Sequence, residues 1–318
     1  MRRFLIRRFL FAVLTLVAAT AMVFSLSRAA GDPLLLYAKP GGYGMSEERI
    51  QGLKEKLGLD KPLIVQYFVW LSQTLRGDLG NTIVSEVPVV SLIRDRIFYT
   101  MQLGLAAWLF GAITGIPLGV LSAVGRGNAW DYVARAFALL GQALPTFWLG
   151  MMGILVFAVV LGWLPTATAG PTDVGPFTWT HIKYFLMPSI TLGWFASASL
   201  LRITRSAMLE ILDSEYIKFA RAKGIREWLV IWKHAFRNAI IQPLTLAAIT
   251  LAGFIGGAVV IEQVFAWPGI GRLAIEAVWN NDFPVLTATV LLWTLGFVVM
   301  NFLADAAYAY LDPRIRYS

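Results

Sequence analysis

Residues 101–124 read MQLGLAAWLFGAITGIPLGVLSAV. No residue in this stretch is charged, and it holds one proline, Pro117. A helix rises 1.5 Å per residue, so about 20 such residues cross a ~30 Å hydrocarbon core. Working outward, five further stretches have similar length and character: Phe9–Leu26, Ala138–Leu161, Phe185–Ile203, Pro243–Ile261 and Val285–Ala307. Pro145 and Pro188 sit near the starts of two of them. The whole chain is 58% apolar and only 14% charged, against about 25% charged in a soluble domain. So thin a charged shell cannot cover a soluble fold of 318 residues. The apolar runs are continuous rather than alternating, which argues against a transmembrane β-barrel. The reading is an all-α membrane protein with six transmembrane helices.

The net charge of +8 is placed by position. Arg2, Arg3, Arg7 and Arg8 precede the first apolar run, and Arg314 and Arg316 close the chain. Arg202, Arg205, Lys218, Arg221, Lys223, Arg226, Lys233 and Arg237 crowd one inter-span loop and its helix ends. These are the places the positive-inside rule fills, so a membrane rather than nucleic acid explains the basic balance. A cleaved signal peptide is the competing reading of the first run, with Arg28-Ala29-Ala30-Gly31 behind it. Its apolar stretch exceeds the usual ~7–15 residues, so it is read as a retained span. The N- and C-termini are then cytoplasmic in a multi-pass membrane protein.

This orientation places residues 28–99 outside, as a folded extracytoplasmic insertion within one transmembrane domain spanning residues 1–318. An amphipathic helix is expected from Ser46 to Leu57, stopped by Gly58, and a second apolar helix over Val65–Leu71. Residues 162–184 and 262–284 are also outside. Residues 125–131 form a short inside loop and 204–242 a long, basic one.

Several chemistries are missing. No lysine is followed by Ser or Thr, so a phosphate-binding GxxxxGK[ST] loop cannot occur. HExxH and GxSxG are absent, and there is no cysteine. The two histidines, His181 and His234, form no metal cluster and read as surface or interface residues. Carboxylates are not paired within a span, which argues against a buried proton relay. The chain moves, anchors or gates something, and a driven process must draw its energy from a partner or an ion gradient.

The inside loop is the most informative segment. From Asp213 to Gly224 it reads Asp-Ser-Glu-Tyr-Ile-Lys-Phe-Ala-Arg-Ala-Lys-Gly. Asp213 suits an N-cap, Glu215 the first turn and Lys223 the last. Gly224 suits a left-handed stop. Tyr216, Ile217 and Ala220 share one face, and the small Ala220 and Ala222 permit close approach of another surface. A second helix is expected over Glu227–Ile241. Spacing alone is equally compatible with a helix that docks on a protein and one that lies on an anionic membrane.

Tyr216-Ile217, Ala220-Arg221-Ala222-Lys223-Gly224 and His234-Ala235-Phe236-Arg237-Asn238-Ala239 together resemble the cytoplasmic EAA loop of binding-protein-dependent ABC transporter permeases, in its dipeptide/oligopeptide variant. Matching stretches run through the chain. They are Gly31-Asp32-Pro33, Leu59-Asp60-Lys61-Pro62 with Gln66-Tyr67, Arg76-Gly77-Asp78-Leu79-Gly80 and Pro145-Thr146-Phe147. Further on come Glu262-Gln263-Val264-Phe265, Trp267-Pro268-Gly269-Ile270-Gly271, and Asn301 and Asp305 ahead of Leu311-Asp312-Pro313-Arg314. The long first outside loop is similar to that of the B-type subunit. Two departures are Pro243, one residue later than in many relatives, and Lys218, where the broader pattern has Glu.

The resemblance implies a type I ABC importer permease, working by alternating access and importing peptides or related solutes. It implies a second, C-type permease, two cytoplasmic ATPases and an extracytoplasmic solute-binding protein as partners, besides membrane lipid. The ATPases hold ATP and Mg²⁺; this chain is expected to bind no cofactor and to catalyse nothing. Glu215, Tyr216, Ile217, Ala220, Arg221, Ala222, Lys223 and Gly224 would form the helix that couples to an ATPase, with Arg221 and Lys223 at the rim of its groove. Glu262, Phe265, Trp267, Pro268 and Gly269 form a candidate outer gate, partly buried, or simply a turn. Asn301 and Asp305, one turn apart, are read as satisfying each other rather than lining a pathway. The rival readings are a secondary transporter or channel that acts without ATPases, and a membrane scaffold.

Overall fold

A computed structural model describes residues 2–29, 51–52, 60–83, 85–171, 178–255 and 258–311. Among these residues the structure is helical, and no strand is named beyond a single bridge between Asn81 and Pro88. The expected helix over Ser46–Leu57 and the motifs at Gly31-Asp32-Pro33 and Asp312-Pro313-Arg314 lie outside the described residues, apart from a helical Gln51-Gly52. Two compact units are formed, residues 1–98 with 269–318, and residues 99–268.

In the first unit, helix α1 spans Arg2–Ala29 and helix α2 spans Leu63–Leu75. The second contains the apolar helix expected over Val65–Leu71. Phe24 of α1 is buried against Tyr67 and Trp70 of α2, at ring-centroid distances of 5.6 Å each. Thr20 and the Tyr67 hydroxyl lie 2.9 Å apart. Gly77 and Gly80 take positive φ, and Gly80 N donates to Asp78 Oδ1 at 3.0 Å. The turn that follows is held by Ile83 N, which donates to the buried Asp282 carboxylate at 3.2 Å. Helix α3, Val89–Val124, then begins. Its first turns, Val89 and Ile93, form a core with Ile270, Leu273, Ala277, Val285 and Ala288. Arg96 reaches Glu276 at 3.3 Å beside that core.

In the second unit, α3 continues through Pro117 and packs on the helix Trp179–Leu212. Helix α4 is Ala129–Ala143, and α5 is Thr146–Gly153, prolonged by a π-helical Ile154–Val160. Helix α6 is Trp179–Leu212 and helix α7 is Glu215–Ala222. Gly111, Gly115 and Gly119 of α3 lie four residues apart and face α6. A Cβ on Gly115 would come within 2.5 Å of the Ser197 carbonyl oxygen, and one on Gly119 within 2.6 Å of Thr204 Cβ. Small residues let two helices approach this closely where apolar lipid offers no hydrophobic drive for their association. Thr114 and Ser197 add a hydroxyl pair at 2.7 Å across the seam.

Among the described residues, four helices are long and apolar enough to cross a membrane, and α4 with α5 makes a fifth if the bent pair is counted as one span. Two of the six expected stretches are broken rather than continuous helices. The stretch Ala138–Leu161 is not one helix: α4 and α5 meet at 108°. Leu144 is extended, at φ −92° and ψ 134°, because the ring of Pro145 disfavours the α conformation for the residue before it. The stretch Pro243–Ile261 is likewise divided. Helix α8 spans Ile241–Ile255 and helix α9 spans Val259–Val264, with Ala258 non-helical between them. Pro243 sits in the first turn of α8, where its missing N–H costs nothing. Helices also extend beyond the expected spans. Residues 89–99 and 204–212, read as loop, are parts of α3 and α6.

Candidate functional site

The segment after α6 is a compact turn. Asp213, expected as the N-cap of α7, is instead the C-cap of α6, at φ −84° and ψ −4°. The reason is that α6 runs on to Leu212, so the chain reverses one residue later. Ser214, with ψ 151°, is the N-cap of α7, and its hydroxyl donates back to the Ile211 carbonyl rather than capping forward. Asp213 pairs with Arg126 at 3.7 Å.

Helix α7 is amphipathic, and its apolar side is used within the chain. Ile217 is fully buried and Ala220 is buried, packed with Met208, Leu212, Val230, Ala235 and Ala239. The close approach expected of Ala220 toward another protein is therefore made to α6 and to the segment after α7. Glu215, Tyr216, Arg221, Ala222, Lys223 and Gly224 are exposed. Phe219 is 61% exposed, with the Lys223 ammonium 4.4 Å from its ring centroid, and sequence reading had not singled it out.

Gly224 has φ +74°, the left-handed conformation that glycine adopts without a Cβ penalty. Its N–H donates to Arg221 O at 2.9 Å and that of Ile225 to Ala220 O at 3.3 Å, the paired bonds of a Schellman stop. Arg221 then grips Glu227 across the turn, Nη2 to Oε1 at 2.8 Å and Nε to Oε2 at 3.2 Å. That hydrogen-bonded guanidinium holds the Glu227 carboxyl below the usual carboxylate range, and Glu227 raises Arg221 in return. Lys218 is raised by its hydrogen bond to Glu215, at 2.7 Å.

The helix expected over Glu227–Ile241 is interrupted. Helical Glu227–Leu229 passes into a π-helical Val230–Phe236 and then helical Arg237–Ala239. The extra residue per turn brings His234 and Asn238 against α7. Asn238 Nδ2 donates to the Tyr216 hydroxyl at 3.0 Å and to His234 O at 3.0 Å. The two stretches that carry the family resemblance in this loop are thus tied to each other.

The candidate gate is a buried cluster within the second unit. Glu262 is fully buried and accepts a hydrogen bond from Thr100 Oγ1 at 2.7 Å. Its carbonyl accepts from Trp267 N at 2.8 Å. The Trp267 indole donates to Tyr99 O at 2.9 Å, and its ring is completely covered. Phe265 is buried beside Leu103, Met187 and Ile261, and its carbonyl accepts from Thr168 N at 2.9 Å. Ala266, between the two aromatic residues, takes φ +48°, a conformation costly for a residue with a Cβ. The Glu262, Phe265 and Trp267 side chains are thus wholly rather than partly buried, because this turn folds inward over an aromatic core. Pro268 is half-buried, and Gly269 belongs to the first unit, where it is the N-cap of helix α10, Ile270–Trp279. His181, read as a surface or interface residue, is buried next to Trp267 and lies 2.9 Å from the Gln102 amide. In the first unit, Asn301 of helix α11, Phe283–Leu311, donates to Phe297 O at 2.8 Å, and the side chain of Asp305 lies outside the described residues.

One site escaped sequence reading. Asp131, read as a loop boundary, is buried in the first turn of α4. Arg205 of α6 meets it with two bonds, Nε to Oδ1 at 2.8 Å and Nη2 to Oδ2 at 3.0 Å. Ser122 Oγ at 2.6 Å and Gly127 N at 3.0 Å also donate to that carboxylate. The one available signal was Asn128, which caps α4 by accepting from Asp131 N at 3.0 Å, a spacing typical of helix starts. Three donor groups, from Arg205, Ser122 and Gly127, thus satisfy this buried carboxylate.

The comparisons agree with this architecture. Residues 115–317 match the family described as binding-protein-dependent transport system inner membrane component, and residues 1–104 match the N-terminal region of such membrane components. The chain is 39% identical over 319 aligned residues to the glutathione transport system permease protein GsiC of Pectobacterium atrosepticum, covering 100% of both. It is 37% identical to the oligopeptide transport system permease protein AppB of Bacillus subtilis, again over 100% of both. Its fold is similar to that of a chain of the MetNI methionine ABC transporter in an inward-facing conformation. That likeness has a TM-score of 0.57 at 20% identity, covering 70% of this chain and 96% of the other. The chain therefore belongs to the family of inner membrane components of binding-protein-dependent transport systems, and it is a multi-pass ABC importer permease.

Proposed function

We propose that this permease imports di- or oligopeptides, or a peptide-like solute such as glutathione, by alternating access. The observation that carries this reading is the full-length similarity to a glutathione and an oligopeptide permease. The partners are a C-type permease, an extracytoplasmic solute-binding protein and two cytoplasmic ATPases, which hold ATP and Mg²⁺. The permease itself binds no cofactor, catalyses nothing and takes no nucleic acid.

In this reading both termini and residues 204–242 are cytoplasmic, and residues 28–99 are extracytoplasmic, within one transmembrane domain. Helix α7 is the coupling helix. Its burial of Ile217 and Ala220, the Tyr216–Asn238 bond and the Schellman stop at Gly224 support that role, because they fix it to α6 as a stiff lever. A push on α7 is then transmitted to α6 rather than absorbed by a loose loop. The partner meets the exposed side, formed by Tyr216, Phe219, Arg221, Ala222 and Lys223. The Glu262–Trp267 turn acts as part of the outer gate, with Pro268 and Gly269 following it.

Uptake of labelled peptides and of glutathione is measured in cells lacking this chain, with and without its restoration. The proposal expects uptake only in restored cells, blocked by vanadate and insensitive to a protonophore while ATP is maintained. Vanadate-insensitive uptake that collapses with the proton gradient would instead identify a secondary transporter.

A further inference from the structure

Between α4 and α6 lies a cavity of ≈ 610 Å³ whose chemistry the transport cycle above does not use. Its polar lining is basic: Arg135 from α4, and Arg202 and Arg205 from α6. Arg205 is committed to Asp131 by its two bonds. Arg135 and Arg202 have no carboxylate within ion-pair distance among the described residues. The Arg135 guanidinium stands 5.6 Å from the Tyr132 ring centroid, which restrains it at the rim. The Gln142 amide nitrogen also belongs to this lining, and it is buried without a hydrogen-bond partner. The rest of the wall is apolar, with Leu139 both lining the cavity and exposed on the outer side of α4. Trp130, Val133 and Leu140 continue that exposed apolar surface.

Two uncompensated guanidiniums, an orphaned amide donor and an adjoining apolar surface describe an amphipathic ligand with an anionic head and a hydrocarbon tail. The position agrees. The Asp131–Arg205 pair puts the start of α4 and the end of α6 on one side, and Arg135 lies within about two turns of that start. Headgroups meet a membrane protein at this depth, and basic pockets between helices are a known form of lipid site. We propose that this cavity binds an anionic phospholipid, its phosphate on Arg135 and Arg202 and an acyl chain along Leu139.

The test uses the full chain, delipidated in neutral detergent and titrated with phosphatidylglycerol, phosphatidylcholine or inorganic phosphate, with bound species counted by native mass spectrometry. The expected result is a preference of about tenfold or more for phosphatidylglycerol over phosphatidylcholine, and weaker binding by roughly 10- to 30-fold in Arg135→Gln/Arg202→Gln. Unchanged binding in that double variant overturns the proposal, and so does inorganic phosphate binding as tightly as the lipid. A photoreactive phosphatidylglycerol on the wild-type chain is independent of how the variant folds. Crosslinks within residues 132–142 and 202–209 support the site, and crosslinks confined elsewhere overturn it.

Discussion

Arg205 holds Asp131 with two hydrogen bonds, at 2.8 and 3.0 Å, and thereby joins α6 to the first turn of α4. The Asp131 side chain is 1% exposed, so removing the guanidinium strands a buried carboxylate. Arg205→Ala is expected to cost about 3 kcal/mol or more, and the Asp131→Ala/Arg205→Ala pair less than the sum of the single changes. Unfolding in detergent by denaturant, run as a double-mutant cycle, measures both. Additive costs would show that the pair is not coupled.

The glycine seam of α3 sets a second expectation. Gly115→Ala places a methyl 2.5 Å from the Ser197 carbonyl oxygen, against backbone that cannot rotate away. Overpacking of this kind costs about 1–3 kcal/mol, so the folded yield and melting temperature should fall. Gly127→Ala meets nothing within 4 Å but has φ +81°, so its smaller cost is one of backbone strain alone. Thermal melts of the two variants separate packing from strain.

Helix α7 separates stability from coupling along its two faces. Ala220→Glu buries a charge in the core around Met208 and Val230, and is expected to reduce folded protein. Phe219→Glu changes an exposed ring and is expected to leave the melting temperature within about 1 kcal/mol equivalent of wild type. In the assembled complex it should lower substrate-stimulated ATP hydrolysis and transport at least severalfold. Normal hydrolysis in Phe219→Glu would remove this face from the coupling contact.

The Arg221–Glu227 bridge predicts a pH dependence of definite sign. Glu227 is held below its ordinary value in the folded chain, so the bridge stabilises above the unfolded carboxylate value and fades as pH falls through the lowered folded one. Both side chains are about half exposed, which limits the effect to a few tenths of a kcal/mol. Arg221→Gln should return the Glu227 titration to the ordinary glutamate range, observed by NMR of a labelled carboxyl. Stability at neutral pH should barely change with Glu227→Gln.

Long apolar runs made the membrane class legible, because length and charge exclusion need no partner to be read. Gly224 was legible for a similar reason, since a glycine behind a cationic last turn has one common use. What the sequence hid depends on contacts between distant residues. Pro145 was visible, but nothing local distinguishes a proline that starts a span from one that bends it by 108°. Asp131 and Arg205 are 74 positions apart, so each looked like an ordinary loop charge. Asp213 was misplaced by one residue because α6 keeps its helical bonds to the end, and helix ends are set by such competition. Ala220 looked free for a partner because its neighbours Val230 and Ala235 come from beyond the next turn.

Affinity purification of this chain from its native membrane in mild detergent, with the co-purifying proteins identified and ATPase activity assayed, tests the central claim most directly. The account predicts recovery of a second permease and two subunits that carry a Walker A motif, with hydrolysis stimulated by the loaded binding protein. Recovery of this chain alone, without ATPase activity and with transport intact after reconstitution by itself, would contradict it.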